Sequence, residues 1–64
     1  MNNLKSIREY RDMTQRELAE KSGVRLRMIQ EYEQGRKDIN KAEAIKIYKM
    51  AEALDCDMKD IMEL

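Results

Sequence analysis

Apolar residues in this chain recur at intervals of three and four, the spacing that gathers them on one face of an α-helix, and no stretch shows the period-2 alternation of β-branched residues that a strand needs. The clearest stripe is Ile47, Met50, Ala51 and Leu54, at i, i+3, i+4 and i+7, a buried face by its period. Leu4, Ile7 and Met13 mark the inner side of a first helix from about Leu4 to Arg11, with Asn3 as its N-cap. Thr14-Gln15-Arg16-Glu17 has the form of a capping box, in which a hydroxyl and a carboxylate satisfy the free N–H groups of a helix start. It opens a second helix with Leu18 and Ala19 turned inward, ending at Ser22-Gly23, where glycine takes the left-handed conformation without steric cost. A third helix runs from about Leu26 to Gln34, ahead of Gly35. Asn40 and Glu43 read as a second capping box, opening a long helix to about Leu54. A short last helix spans about Met58 to Met62, with Asp57 as its cap. There is no proline and there are only two glycines, so the expectation is an all-α, compact five-helix fold forming a single domain, residues 1–64.

Size narrows this picture. A chain of 64 residues buries only about 60% of its unfolded surface, and such scaffolds usually need a disulfide, a metal, regular helix packing or a partner subunit. One cysteine and no histidine rule out an internal disulfide and a Cys/His zinc site, so no metal or cofactor is expected, and helix packing and self-association remain. The lone thiol suits a reducing compartment, and the absence of an apolar run speaks against a signal peptide or membrane span; a cytoplasmic protein without a membrane partner is expected. Cys56 reads as a small core residue. The six methionines read as gap fillers, with a partner surface at Met58 and Met62 as the alternative. Without histidine, a nucleophile–base pair or a phosphate-cradling glycine loop, no enzyme is expected, and no small-molecule ligand is evident. Net charge is zero, but residues 1–37 carry nine Lys/Arg against six Asp/Glu and residues 38–64 four against seven. That leaves +3 at one end and −3 at the other, and phosphate binding depends on where charge sits rather than on its total.

The stretch from about 14 to 34 carries the functional signal. Two short helices are joined by Gly23-Val24-Arg25, where Gly23 permits the sharp turn and Val24 fills the angle between them. Ala19 is small where the helices approach, and Ile29 and Tyr32 lie on the inner side of the second. Arg27, Gln30, Glu31 and Gln34 are left on one outward face, because spacings of three and four share a side. Such a helix fits a DNA major groove about 12 Å wide, and its N-terminus offers N–H groups to a phosphate. Arg25 and Arg27 at its start, with Arg36 and Lys37 beyond its end, favour DNA contact over an ordinary solvated surface.

The pattern Thr14-Gln15-x-x-Leu18-Ala19-x-x-x-Gly23-Val24, then Ile29-x-x-Tyr32-Glu33-x-Gly35, resembles the Cro and phage-repressor class of helix-turn-helix proteins. Leu4, Ile7-Arg8, Ala53-Leu54 and Ile61-Met62 extend the likeness over nearly the whole chain. The resemblance implies a lambda-repressor-like fold whose third helix reads the major groove. It implies a phosphate contact at Gln15, base-edge contacts at Leu26, Arg27 and Glu31, backbone contacts at Gln34, Arg36 and Lys37, and an ion pair between Arg8 and Glu33. The chain departs from the family pattern at Asp12 and Asp55, where glycine is usual, and at Arg25, which stands in place of a capping Ser or Thr. The stretch between Gly35 and Leu54 is also a few residues longer than usual.

The function expected is sequence-specific binding of double-stranded DNA by a transcriptional regulator, a repressor since no activating surface is evident. A homodimer spacing two reading helices by about 34 Å suits a palindromic operator, with Met58, Met62 and Leu64 as the candidate dimer surface. An antitoxin-like or other protein-interaction role for the acidic C-terminal helices stands as the alternative.

Overall fold

The backbone of this chain is organised by how each helix end finds hydrogen-bond partners. The computed structural model describes residues 2–63 and, among them, contains α1 (Leu4–Tyr10), α2 (Gln15–Ser22), α3 (Leu26–Glu33), a 3-10 turn (Ile39–Lys41), α4 (Ala44–Ala53) and α5 (Met58–Ile61), with no strand. The fold is the expected five-helix, lambda-repressor-like one.

The capping box of α2 is formed. The Glu17 N–H donates to Thr14 Oγ1 at 3.0 Å and the Thr14 N–H to Glu17 Oε1 at 2.9 Å. The Thr14 backbone N–H, and after it the Thr14 hydroxyl, hold the Glu17 carboxyl below its ordinary value. Charge on Glu17 therefore supports the helix start above the unfolded carboxyl pKa, and this support is lost as pH falls through the lowered one. At α1 the cap is displaced by one residue. Asn3 occupies the N-cap position without a side-chain cap bond, while Asn2 Oδ1 accepts from the Leu4 N–H at 3.1 Å.

Three helices close with the same device. After α1, α3 and α4 the residues Asp12 (φ 54°), Gly35 (φ 75°) and Asp55 (φ 55°) turn left-handed. The next N–H then reaches back five residues, Met13 to Arg8 O, Arg36 to Glu31 O and Cys56 to Ala51 O, at 3.1, 3.0 and 3.0 Å. This is the Schellman closure, which satisfies carbonyls that a helix end leaves free. Aspartate in this conformation costs less than most residues but more than glycine. Asp55→Gly removes that strain against a smaller gain in unfolded-chain entropy, for a net stabilisation below about 1 kcal/mol. The expected result is a melting temperature a few degrees higher with DNA affinity unchanged; a lower one would mean that the Asp55 carboxylate satisfies a backbone group.

One expectation is corrected. No capping box joins Asn40 to Glu43, and no single helix spans 40–54. Asp38 Oδ1 takes the Asn40 N–H at 2.9 Å and starts the 3-10 turn, which delivers Ile39 into the core. Ala42 is extended, and α4 starts after Glu43, which makes no side-chain cap bond. The Asn40 side chain instead grips the backbone of Glu63, accepting from its N–H at 2.8 Å and donating to its carbonyl.

Leu4, Leu18, Ile29, Ile39, Met50, Leu54 and Ile61 are fully buried in one core with Val24, Tyr32, Ile47 and Ala51. Each such aliphatic side chain contributes about 1.5–3 kcal/mol on burial. Helix α2 packs against both α3 and α4, α5 against α4, and α1 against α3. Four residues of α5 are too few for a helix to persist alone, and Ile61 anchors it. Met58 and Met62 are half-buried against the core; Leu64 lies outside the described residues. Arg11 fastens α1 to the C-terminal end of α4, donating from Nε to Leu54 O at 2.9 Å and from Nη2 to Asp55 O at 3.0 Å, where a cation also complements the helix dipole. Cys56 is half-buried, and burial, then Asp60, push its thiol up, which keeps it protonated and unreactive. No helix among the described residues is long and apolar enough to cross a membrane.

Candidate nucleic-acid interface

Gly23, at φ 75°, ends α2 by donating its N–H to Ala19 O at 2.9 Å, and turns the chain so that α3 starts three residues later. Ser22, buried beneath the turn, accepts the Val24 N–H at 3.1 Å, and Val24 fills the angle between the helices. Ile29 and Tyr32 pin the inner side of α3.

The outer side presents Leu26, Arg27, Gln30, Glu31, Gln34 and Arg36 around one shallow open depression. Arg27 is open to solvent, with 87% of its side chain exposed. Its Nε lies 3.7 Å from Glu31 Oε1, one turn along the helix. A pair so long and so exposed contributes at most about 1 kcal/mol, so Arg27 is free to turn outward. Arg36 comes to the same depression because the Schellman closure at Gly35 folds the chain back over the helix end. Arg25 holds the N-cap position of α3 in extended conformation, with no side-chain cap bond, which leaves first-turn N–H groups without an intrahelical partner.

Two of the expected site residues lie elsewhere. Lys37 is exposed but borders a separate depression with Met28, Tyr32 and Lys46. Gln15 is half-buried and donates from Nε2 to Glu33 Oε1 at 3.0 Å. That bond belongs to a network that fixes α3 to the body. Arg8 is buried and meets Glu33 in a two-point contact, Nε to Oε2 at 2.6 Å and Nη2 to Oε1 at 3.0 Å. The Glu33 side chain is 2% exposed. A third Arg8 bond runs from Nη1 to Met13 O at 2.7 Å. The Glu33 hydrogen bond stabilises the charged guanidinium and raises its pKa, overcoming burial, which lowers it. One carboxylate on α3 thus ties down α1 through Arg8 and α2 through Gln15.

Asn2 is a contributor that sequence reasoning missed. Its Nδ2 donates to Tyr32 O at 3.0 Å, bracing the last turn of α3 from a site thirty residues away in sequence, and no local pattern announces that bond. Among the described residues no cluster of His, Cys, Asp and Glu could hold a metal ion.

None of the curated proteins compared with the chain matches it. The helix-turn-helix family model matches residues 4–61, spanning all five helices and the depression on α3. The chain therefore belongs to the Cro/C1-type helix-turn-helix family of DNA-binding regulators.

Proposed function

We propose that this chain is a repressor that binds a palindromic operator as a homodimer, with the 64 residues acting as one binding domain and α3 lying in the major groove. The observation that carries this reading is the outward face of α3. Arg27 and Glu31 stand there one turn apart and Gln30 and Gln34 flank them, a set able to donate to guanine and to accept from the cytosine amino group. Leu26 offers apolar contact to a thymine methyl. Arg25, Arg36 and Lys37 are exposed around the ends of the helix and supply phosphate contacts that fix register without reading sequence. Gln15 has a second amide hydrogen beyond the one given to Glu33, and turns it to a phosphate at the start of α2. Neutralised phosphates release counterions, so the affinity falls steeply as salt rises.

Selection of bound sequences from random duplex DNA tests the reading. The expected result is an enriched motif with two-fold symmetry, its half-sites about 10 base pairs apart, and an affinity that drops by roughly 0.9 logarithmic units per tenfold salt for each phosphate neutralised. Enrichment of no sequence at moderate salt would overturn it.

A further inference from the structure

The Glu33 carboxylate does more than close an ion pair. Arg8 takes it at two points, Nε at Oε2 and Nη2 at Oε1, and a planar fork meeting a planar carboxylate fixes both oxygens in space. The two side chains are 10% and 2% exposed, so water does little to loosen the contact. An apolar pair of similar volume often joins helices equally well, and stability alone therefore does not call for charges here. The third partner of the carboxylate is informative. Oε1 also accepts from Gln15 Nε2 at 3.0 Å, and Gln15 is the half-buried first residue of α2.

We infer that Glu33, itself held by Arg8, is a positioning residue for DNA binding that presents the Gln15 amide to a phosphate in its donating orientation. The inference rests on the phosphate contact assigned to Gln15 above. A primary amide has one edge that accepts and one that donates, whereas a carboxylate or phosphate oxygen only accepts. Glu33 therefore admits the Nε2 edge and rejects the oxygen edge, and the planar NH2 group leaves its second hydrogen in a set direction. Without Glu33 the amide turns about its last side-chain bond, and some of its orientations bring its oxygen against the phosphate.

The same contact lowers the entropic cost of binding. A glutamine side chain loses rotamer freedom when it is fixed, and one ordered before DNA arrives does not pay that loss on binding. Glu33 ends α3 and Gln15 begins α2. The helix that reads bases thus sets the geometry of a group that grips the backbone, and an apolar pair in place of Arg8 and Glu33 would join the helices without doing so.

A double-mutant cycle on affinity for mixed-sequence duplex DNA at low salt tests this, with folding of each variant checked by circular dichroism. Gln15→Ala is expected to weaken the parent about tenfold, the scale of a hydrogen bond to a charged group, and equally for all sequences. The Arg8→Met, Glu33→Leu variant should be weakened to a similar degree although Gln15 is intact. Adding Gln15→Ala to that variant should then cost less than about twofold, because the interaction is already lost. A purely structural role for Glu33 would instead leave the cost of Gln15→Ala the same in both backgrounds, and that result, or no cost in the parent, would overturn the inference. A second measurement needs no variant. In the free parent, nuclear relaxation of the side-chain amides should show Gln15 as ordered as the α2 backbone and the exposed Gln34 mobile; a Gln15 amide as mobile as that of Gln34 would also overturn it. Failure of the operator reading shows separately, as a protein that displays this coupling on mixed duplex yet enriches no sequence.

Discussion

Replacing Glu33 with alanine is expected to remove most of the stability of this protein. The substitution deletes the acceptor of two Arg8 bonds and of the Gln15 amide at once. It strands a guanidinium whose side chain is only 10% exposed, and Met13 O, a neutral carbonyl, cannot compensate the charge. Breaking one partner of a buried pair typically costs about 3–5 kcal/mol. A domain of this length has on the order of 3–10 kcal/mol in total, at about 0.05–0.15 kcal/mol per residue. The loss is therefore comparable with the net stability of the whole domain. Removing both charges is a different matter, because an apolar pair of similar volume avoids the desolvation that the ion pair must repay. Arg8→Met combined with Glu33→Leu should recover much of what Glu33→Ala loses. Thermal unfolding followed by circular dichroism reads both. A Glu33→Ala variant melting like its parent would mean that the network joining α1, α2 and α3 contributes nothing to stability.

The elements legible in the sequence are those whose cause is local. Thr14 and Glu17 lie three residues apart and cap each other. Gly23 ends α2 in the only conformation that suits the turn, and the stripe of Ile47, Met50, Ala51 and Leu54 is buried as its period requires. Asp12 and Asp55 do adopt left-handed backbone, as the glycine usual at those positions in the resembling family implies. What failed to show is what depends on distant partners. Asn40 reads locally as a capping box with Glu43, but Asp38 holds its N–H and Glu63, twenty-three residues on, holds its side chain. Arg8 and Glu33 are twenty-five residues apart, so only the family resemblance could pair them. Periodicity likewise tells which side of α4 faces inward but not that Ile45 and Tyr48 remain uncovered on the other. Gln15 shows a limit of carry-over by resemblance, since its amide first serves Glu33.

The second large effect concerns Arg27, and it separates reading a sequence from gripping a backbone. Arg27 stands in the first turn of α3 with its guanidinium held only by a loose contact to Glu31, so little is lost when it turns to O6 and N7 of a guanine. Glu31 can only accept, and it repels phosphates, so wrong registers are penalised while a cytosine amino group is accepted. Glu31→Gln should therefore raise affinity for non-cognate DNA and blur a different base pair from the one assigned to Arg27. Arg27→Ala should cost about 1–3 kcal/mol on the preferred site and relax the choice at one base pair per half-site. Arg36 lies beyond the helix end, folded back by the turn at Gly35, and is expected to meet phosphate alone. Arg36→Ala should weaken all sequences alike and lower the salt slope by about one unit per lost contact. The decisive measurement is the affinity of Arg27→Ala and Arg36→Ala for a set of operators each substituted at one base pair. Loss of discrimination at a single position for Arg27→Ala, with uniform loss for Arg36→Ala, is the result predicted for a reading helix at α3. Uniform loss for both variants, with base preferences intact, would contradict it.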